Sequence, residues 1–228
     1  MRRLIPASAD DITVEAAYSG PLGSRTGRPW VGLCMVASID GSTVVGGKSA
    51  ALSSPTDSAV LSQLRRVADV LVVGAGTVRD EGYGRPRKQG QRVGVVTRSG
   101  DLDLTTELFT SGAGFLITTE DNDIRTGGID VVRAGTGGVD LAAAIGRLGE
   151  ITDTCRIVQA EGGAALNGAL LDADILDELN VTTSPAAVGG SGPRLAADAG
   201  DHRHLFELAQ LAIDEQSFLY ARWLRRRS

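Results

Sequence analysis

Trp30-Val31-Gly32-Leu33-Cys34-Met35-Val36-Ala37-Ser38 runs the length of a strand without a charge. A strand with one wet face alternates apolar and polar residues, so an unbroken apolar run of this kind belongs to a strand covered on both faces. Asp69–Gly74 (Asp-Val-Leu-Val-Val-Gly) and Arg92–Thr97 (Arg-Val-Gly-Val-Val-Thr) repeat the pattern, and Gly114–Thr118, Ile129–Arg133 and Thr154–Gln159 read as further strands. After the first of these strands, Ser53-Ser54-Pro55-Thr56-Asp57 supplies hydroxyl caps and a first-turn proline. Ala59, Val60, Leu64 and Val67 follow at helical spacing. Leu141–Leu148 is a second helix, and a third opens after Glu161-Gly162-Gly163 and runs through Leu171. Strand then helix, repeated, predicts a three-layer α/β fold with a largely parallel sheet.

Toward the C-terminus the pattern changes. Glu178–Thr183 is a strand, and Leu205–Ile213 faces Phe218–Leu224 across the polar turn Asp214-Glu215-Gln216-Ser217. That pair predicts an antiparallel hairpin, making the sheet mixed but mostly parallel with an antiparallel C-terminal edge. Residues 30–228 are expected to form a single domain. Residues 1–29, polar and rich in Gly, Pro and Ser, read as an extended arm before it, and Arg225-Arg226-Arg227 as a solvated tail.

Of the 228 residues 42% are hydrophobic and 22% charged, ordinary globular usage that argues against disorder. The net charge of −5 offers no global basic field for a phosphate backbone, and aromatics at 4% offer few stacking platforms, so nucleic acid is not an expected partner. Cys34 and Cys155 are far apart inside apolar runs, which reads as reduced core thiols in a cytoplasmic protein. No cysteine spacing suits a metal, and His202 and His204 lie in a polar stretch without further ligands, so no metal is expected. No apolar stretch approaches the length of a membrane span.

The 30 glycines point to a site shaped by backbone. Gly47-Lys48-Ser49 falls short of a P-loop, because the position five residues before Gly47 is Ser42. Gly74-Ala75-Gly76 after a buried strand falls short of the dinucleotide fingerprint, because the third glycine would fall at Arg79. What remains is a Gly74-Ala75-Gly76-Thr77 turn at a strand tip. Glu161-Gly162-Gly163-Ala164-Ala165-Leu166-Asn167 is a second such turn, and it opens a helix whose free N–H groups suit a pyrophosphate. Thr97-Arg98-Ser99, a guanidinium between two hydroxyls, suits a phosphate monoester such as the 2′-phosphate of NADPH; a solvated turn is the alternative.

Met35-Val36-Ala37-Ser38-Ile39-Asp40-Gly41, Leu52-Ser53-Ser54-Pro55, Leu64-Arg65, Ala68-Asp69, Val73-Gly74-Ala75-Gly76-Thr77-Val78 and Glu161-Gly162-Gly163 with Leu166-Asn167, taken in order, resemble a known family. It is the 5-amino-6-(5-phosphoribosylamino)uracil reductases of riboflavin biosynthesis, which share the dihydrofolate-reductase-like fold. The resemblance covers the chain from about Trp30 to the hairpin. It implies NADPH across the carboxyl ends of the sheet, against Val36, Ala37, Ala51, Thr77, Ser99 and the turn and helix from Gly163 to Ala169. On the substrate side it implies Ser49, Arg65 toward the ribose phosphate and Glu161 toward the pyrimidine or ribityl part.

The implied reaction is hydride transfer from NADPH to C1′ of the ring-opened ribosylamino group, giving a ribitylamino product. Asp40 is then the candidate for orienting or protonating the sugar oxygens, with a loop-capping aspartate as its alternative. The family's Asp-Asp-Pro segment is replaced here by Arg79-Asp80-Glu81-Gly82-Tyr83-Gly84-Arg85, so Glu81, Tyr83 and Arg85 are expected to line an altered side of the pocket for a pyrimidine- or pterin-like compound. No His-x-Glu with Pro-Cys-x-x-Cys is present, so a reductase without the zinc deaminase is expected, and the family implies a homodimer. Reduction of dihydrofolate or another pterin, and a nucleotide-binding homologue without chemistry, remain alternatives.

Overall fold

The computed structural model describes residues 1–227. In chain order the elements are β1 (Arg2–Ile5), α1 (Val14–Ala17), β2 (Trp30–Ser38), α2 (Pro55–Val67), β3 (Val70–Gly74), α3 (Ala75–Glu81), β4 (Arg92–Val96) and α4 (Glu107–Thr110). There follow β5 (Gly114–Thr118), β6 (Val131–Arg133), α5 (Leu141–Gly146), β7 (Ile157–Ala160), α6 (Ala164–Asp172), β8 (Glu178–Ser184), β9 (Phe206–Ile213) and β10 (Leu219–Arg225). One ten-stranded sheet contains every strand, in the order β1-β9-β10-β8-β2-β7-β3-β4-β5-β6. From β8 to β6 all neighbours are parallel; β8-β10, β10-β9 and β9-β1 are antiparallel.

The apolar runs are buried on both faces, as their lack of alternation requires. Val31 and Leu33 on β2, with Val70 and Val72 on β3, pack against Leu141 and Ile145 of α5 and Leu166 and Leu170 of α6. The opposite face is covered by α1 and α2 over Cys34, Val60, Leu64 and Tyr220, and by α3 and α4 over Leu71, Val73, Val93 and Val95. The result is three layers, helix on sheet on helix. The cap of α2 is as the sequence predicts: Pro55 opens the helix and the Ser54 side chain accepts the Asp57 N–H at 3.1 Å.

Two elements depart from the sequence reading. The Gly74-Ala75-Gly76-Thr77 turn is the first turn of α3, which continues straight from β3. The hairpin β9-β10 is present, but the sheet's edge strand on that side is β1. The segment before Trp30, expected as an extended arm, packs against the domain, with β1 paired to β9. Its docking relies on Asp177 and Glu178, both 1% exposed. Asp177 takes Arg25 Nε at 2.6 Å, Arg28 Nη1 at 2.6 Å and the Val31 N–H at 3.0 Å. Glu178 takes the Leu22 N–H at 3.1 Å and Arg222 Nη2 at 2.6 Å. The same guanidinium donates to Ala17 O and Gly20 O and stacks on Tyr18 at 5.0 Å. The buried Glu178–Arg222 pair and the separate buried Asp177, each hydrogen-bonded to residues of this segment, fix it in place.

The Gly46-Gly47 pair has a local role. Both residues have positive φ, +58° and +84°, and Val45 and Lys48 exchange backbone hydrogen bonds across them at 2.9 and 3.2 Å. This is a tight two-residue hairpin turn, which needs glycine-compatible backbone at both central positions.

Candidate active site

An open cleft of about 1640 Å³ lies at the carboxyl tips of β2, β3, β4 and β7. In a parallel sheet, loops and helix starts diverge there and leave room for a ligand. Of the residues singled out from sequence, Val36, Ser49, Arg65, Gly74, Gly76, Thr77, Glu81, Tyr83, Arg85, Thr97, Arg98, Ser99, Glu161, Gly163, Ala164, Ala165 and Leu166 all line it. Ala37, Asp40, Ala51, Gly162 and Asn167 do not.

One half of the cleft is built from backbone. The β3–α3 and β7–α6 junctions press together, and the Gly74 N–H donates to Gly162 O at 2.7 Å. The Gly162–Gly163 peptide is cis, and Gly162 has φ +78°. A side chain at Gly162 would meet Met35 Sδ at 2.8 Å, and one at Gly163 would meet Thr77 Oγ1 at 3.0 Å. These glycines let two turns touch each other. Gly76 differs, because a Cβ there would meet nothing within 4 Å. Both α3 and α6 begin at a glycine that gives no side-chain cap, leaving first-turn N–H groups of α6 without intrahelical acceptors. Thr97-Arg98-Ser99 closes this half. Thr97 Oγ1 caps the Gly100 N–H at 2.9 Å, and Arg98 is exposed with no ion pair among the described residues.

The other half is built from side chains. Arg65 Nε donates to Glu161 Oε1 at 2.7 Å and Arg65 Nη2 to Glu161 Oε2 at 2.6 Å, a bidentate pair that joins α2 to the tip of β7. Tyr83 O–H donates to Glu161 Oε2, accepts from Arg65 Nη2 at 3.1 Å, and lies under the guanidinium at 5.3 Å. Burial, then the Glu161 charge, hold the Tyr83 phenol well above its usual pKa, so it stays a donor. Burial favours the neutral form of Arg65, and the Glu161 carboxylate overrides that and raises its pKa. Near the mouth, Ser49 Oγ and N–H both donate to Glu81 Oε1, at 2.9 and 3.2 Å, tying the loop before α2 to the end of α3.

This geometry revises several expectations. The Arg65 fork is engaged by Glu161, whereas the exposed Arg85 and Arg87 make no hydrogen bond or ion pair with any described residue. Asp40 caps a loop instead of facing the cleft: it accepts Ser38 O–H at 2.6 Å and the Val188 and Gly189 N–H groups at 3.0 and 2.8 Å. Those bonds, the Ser38 hydroxyl foremost, hold its carboxyl far below the usual range, so it has no proton to give near neutrality. Asn167 is fully buried and its Nδ2 donates to Leu195 O at 2.6 Å, a packing role. Gly162 contributes its carbonyl to Gly74, Ala37 is enclosed in β2, and Ala51 is exposed beside the cleft.

The sequence reading overlooked the basic balance of the cleft. Seven basic side chains line it against four acidic ones, although the whole chain is acidic. Arg85-Pro86-Arg87-Lys88 carries that signal in plain view. It also overlooked Asp57, which shares a face of α2 with Leu61 and Arg65 at successive helical turns and lines the cleft with them.

Residues 29–218 match the family model described as the RibD C-terminal domain. The chain belongs to the RibD C-terminal domain family. Its curated relatives include the riboflavin biosynthesis protein RibD of Bacillus amyloliquefaciens, 29% identical over 77% of this chain and 51% of that protein. Another is the 2,5-diamino-6-ribosylamino-4(3H)-pyrimidinone 5′-phosphate reductase of Methanothermobacter thermautotrophicus, 26% identical over 75% of this chain and 84% of that one. The chain thus spans about half the length of the bacterial RibD and most of the archaeal enzyme. The RibD-type fold is shared with a pyrimidine reductase-like protein of Corynebacterium diphtheriae, TM-score 0.78 at 23% identity, covering 95% of this chain and 100% of that one.

Proposed function

We propose that this chain is an NADPH-dependent reductase that converts the ribosylamino group of a phosphorylated 6-ribosylaminopyrimidine to ribitylamino. The observation that carries this reading is the division of the cleft, with uncapped helix starts and an unpaired arginine on one side and a ring of polar and cationic side chains on the other.

The backbone half fits a dinucleotide. First-turn N–H groups of α6 face a pyrophosphate, the open space at Gly76 admits close approach, and Arg98 between Thr97 and Ser99 suits a 2′-phosphate. When bound, NADPH supplies the hydride. The chain's residues then have to hold the acceptor carbon against it and exclude water, work that needs no strongly nucleophilic side chain. Arg85 and Arg87 are the free cations for the ribose phosphate, and the Arg65–Glu161–Tyr83 network is the rigid wall that orients the sugar.

Reduction of C1′ adds a hydride to carbon and a proton to the adjacent nitrogen. Asp40 takes no part in that proton delivery. The expected cytoplasmic homodimer belongs to the same proposal, and light scattering tests its dimeric part.

The test is turnover. Purified protein with NADPH and each phosphoribosylaminopyrimidine is expected to lose dihydronicotinamide absorbance and to form a ribityl product. NADPH binding without oxidation, across both pyrimidines and dihydrofolate, would instead support the non-catalytic alternative.

A further inference from the structure

The end of α2 is completed by a side chain from outside the helix. The last carbonyls of a helix have no intrahelical donor. The Arg65 carbonyl is one of them, because the N–H four residues on, from Asp69, donates to Ile157 O at 2.9 Å instead. Gln91, just ahead of β4 and 4% exposed, fills the gap: its Nε2 donates to Arg65 O at 2.7 Å and to Ala68 O at 2.8 Å. Lys88 Nζ donates to Ala68 O at 2.6 Å, and a cation is favoured at that end of a helix. Gly90, at φ +74°, turns the chain so that the Gln91 N–H returns to Lys88 O at 3.2 Å. Residues 88–91 are therefore pinned to the end of the helix whose Arg65 fork holds Glu161, and both Lys88 and Gln91 line the cleft.

Arg85 and Arg87, immediately before this pin, are exposed and pair with none of the described residues. Ordering a cation on a free loop costs affinity when it binds, and a loop already fixed at its base avoids part of that cost. Resting on the function proposed above, we propose that Gln91, assisted by Lys88, is a positioning residue for phosphate recognition. It fastens the Arg85–Arg87 segment to the end of α2, so that the cations for the ribose phosphate and the Arg65–Glu161 wall keep one spacing. A substrate that spans both, sugar against the wall and phosphate against the cations, then meets a preset distance. The Gln91 amide is neutral and acts through Arg85 and Arg87, so its effect on a phosphate comes from geometry and not from charge.

The test compares phosphorylated and dephosphorylated 6-ribosylaminopyrimidine on the full chain saturated with NADPH. Gln91→Met keeps the bulk and the neutrality of the side chain and loses the donor. It is expected to raise KM for the phosphorylated compound by about three- to ten-fold, the range of one hydrogen bond, with kcat little changed. KM for the dephosphorylated compound and the affinity for NADPH should stay within about two-fold of wild type. Lys88→Met is expected to give a smaller rise of the same kind, and Lys88→Arg, which restores the donor, to bring KM back. That pair decides the matter if Gln91→Met fails to fold. A rise shared equally by both compounds, as general loosening would give, overturns the assignment, and so does no rise at all. Calorimetric binding of ribose 5-phosphate reads the same effect without turnover. If neither pyrimidine reacts yet Gln91→Met weakens ribose 5-phosphate binding, the proposed reaction fails and the positioning role stands. Equal binding of ribose 5-phosphate by wild type and Gln91→Met removes the role even where turnover is found.

Discussion

The two halves of the cleft are made from different materials. The half assigned to the cofactor is backbone: two glycine junctions in mutual contact and a helix start without a cap. The half assigned to the substrate is side chain: a bidentate Arg65–Glu161 pair braced by Tyr83, the Asp57 carboxylate held by the Ser53 hydroxyl, and Arg85 and Arg87, which pair with none of the described residues. Backbone geometry binds what many ligands share, a phosphate or a flat edge. Paired and unpaired charges discriminate between close relatives, since a buried polar group left unmatched is heavily penalised.

The comparison breaks most severely at Glu161. Glu161→Ala leaves the half-exposed Arg65 and the half-buried Tyr83 hydroxyl without their shared acceptor. It should lower stability by about 1–3 kcal/mol in denaturant titration and abolish measurable turnover, with NADPH affinity much less affected. Next come Arg85→Ala and Arg87→Ala. Both side chains are exposed and pair with none of the described residues, so stability should hold within about 0.5 kcal/mol while KM for the phosphorylated substrate rises by about ten-fold or more. A dephosphorylated substrate should show no such change.

Gly76→Ala separates fold from ligand in the backbone half. The position is helical with open space around it, so the empty protein should gain up to about 1 kcal/mol in stability. NADPH titration should nonetheless show weaker binding, because the added methyl stands where the ligand approaches.

The smallest effect expected is on pH dependence. Tyr83 has a folded pKa raised above its unfolded value of about 10. Its contribution is therefore complete below that pH and is lost as pH climbs toward the folded value. Tyr83→Phe should flatten the alkaline fall in melting temperature that the wild type shows above about pH 10.

The backbone half was the more legible in sequence. Uncharged runs at Trp30–Ser38 and Val70–Gly74 declare buried parallel strands, and glycines directly after such strands declare where a ligand can come close. Even there, Gly74-Ala75-Gly76 reads locally as a turn, and only packing over Leu71 and Val73 makes it the start of α3. The substrate half depends on partners remote in sequence. Nothing near Arg65 says that Glu161, on another strand, fills its fork. The edge strand β1 was hidden for the same reason, since its four residues have a pairing partner only once β9 is in place. Arg222 is the extreme case: a charge in an apolar hairpin strand, 2% exposed, explained only by Glu178 and the carbonyls of Ala17 and Gly20.

The most direct measurement is a single-turnover reaction of the NADPH-loaded protein with phosphorylated 2,5-diamino-6-ribosylaminopyrimidinone, following dihydronicotinamide absorbance and product mass together. One cofactor should be oxidised for each ribityl product, with two hydrogens gained by the pyrimidine. Tight binding of both molecules with no change in either would contradict the division of labour proposed for the two walls of the cleft.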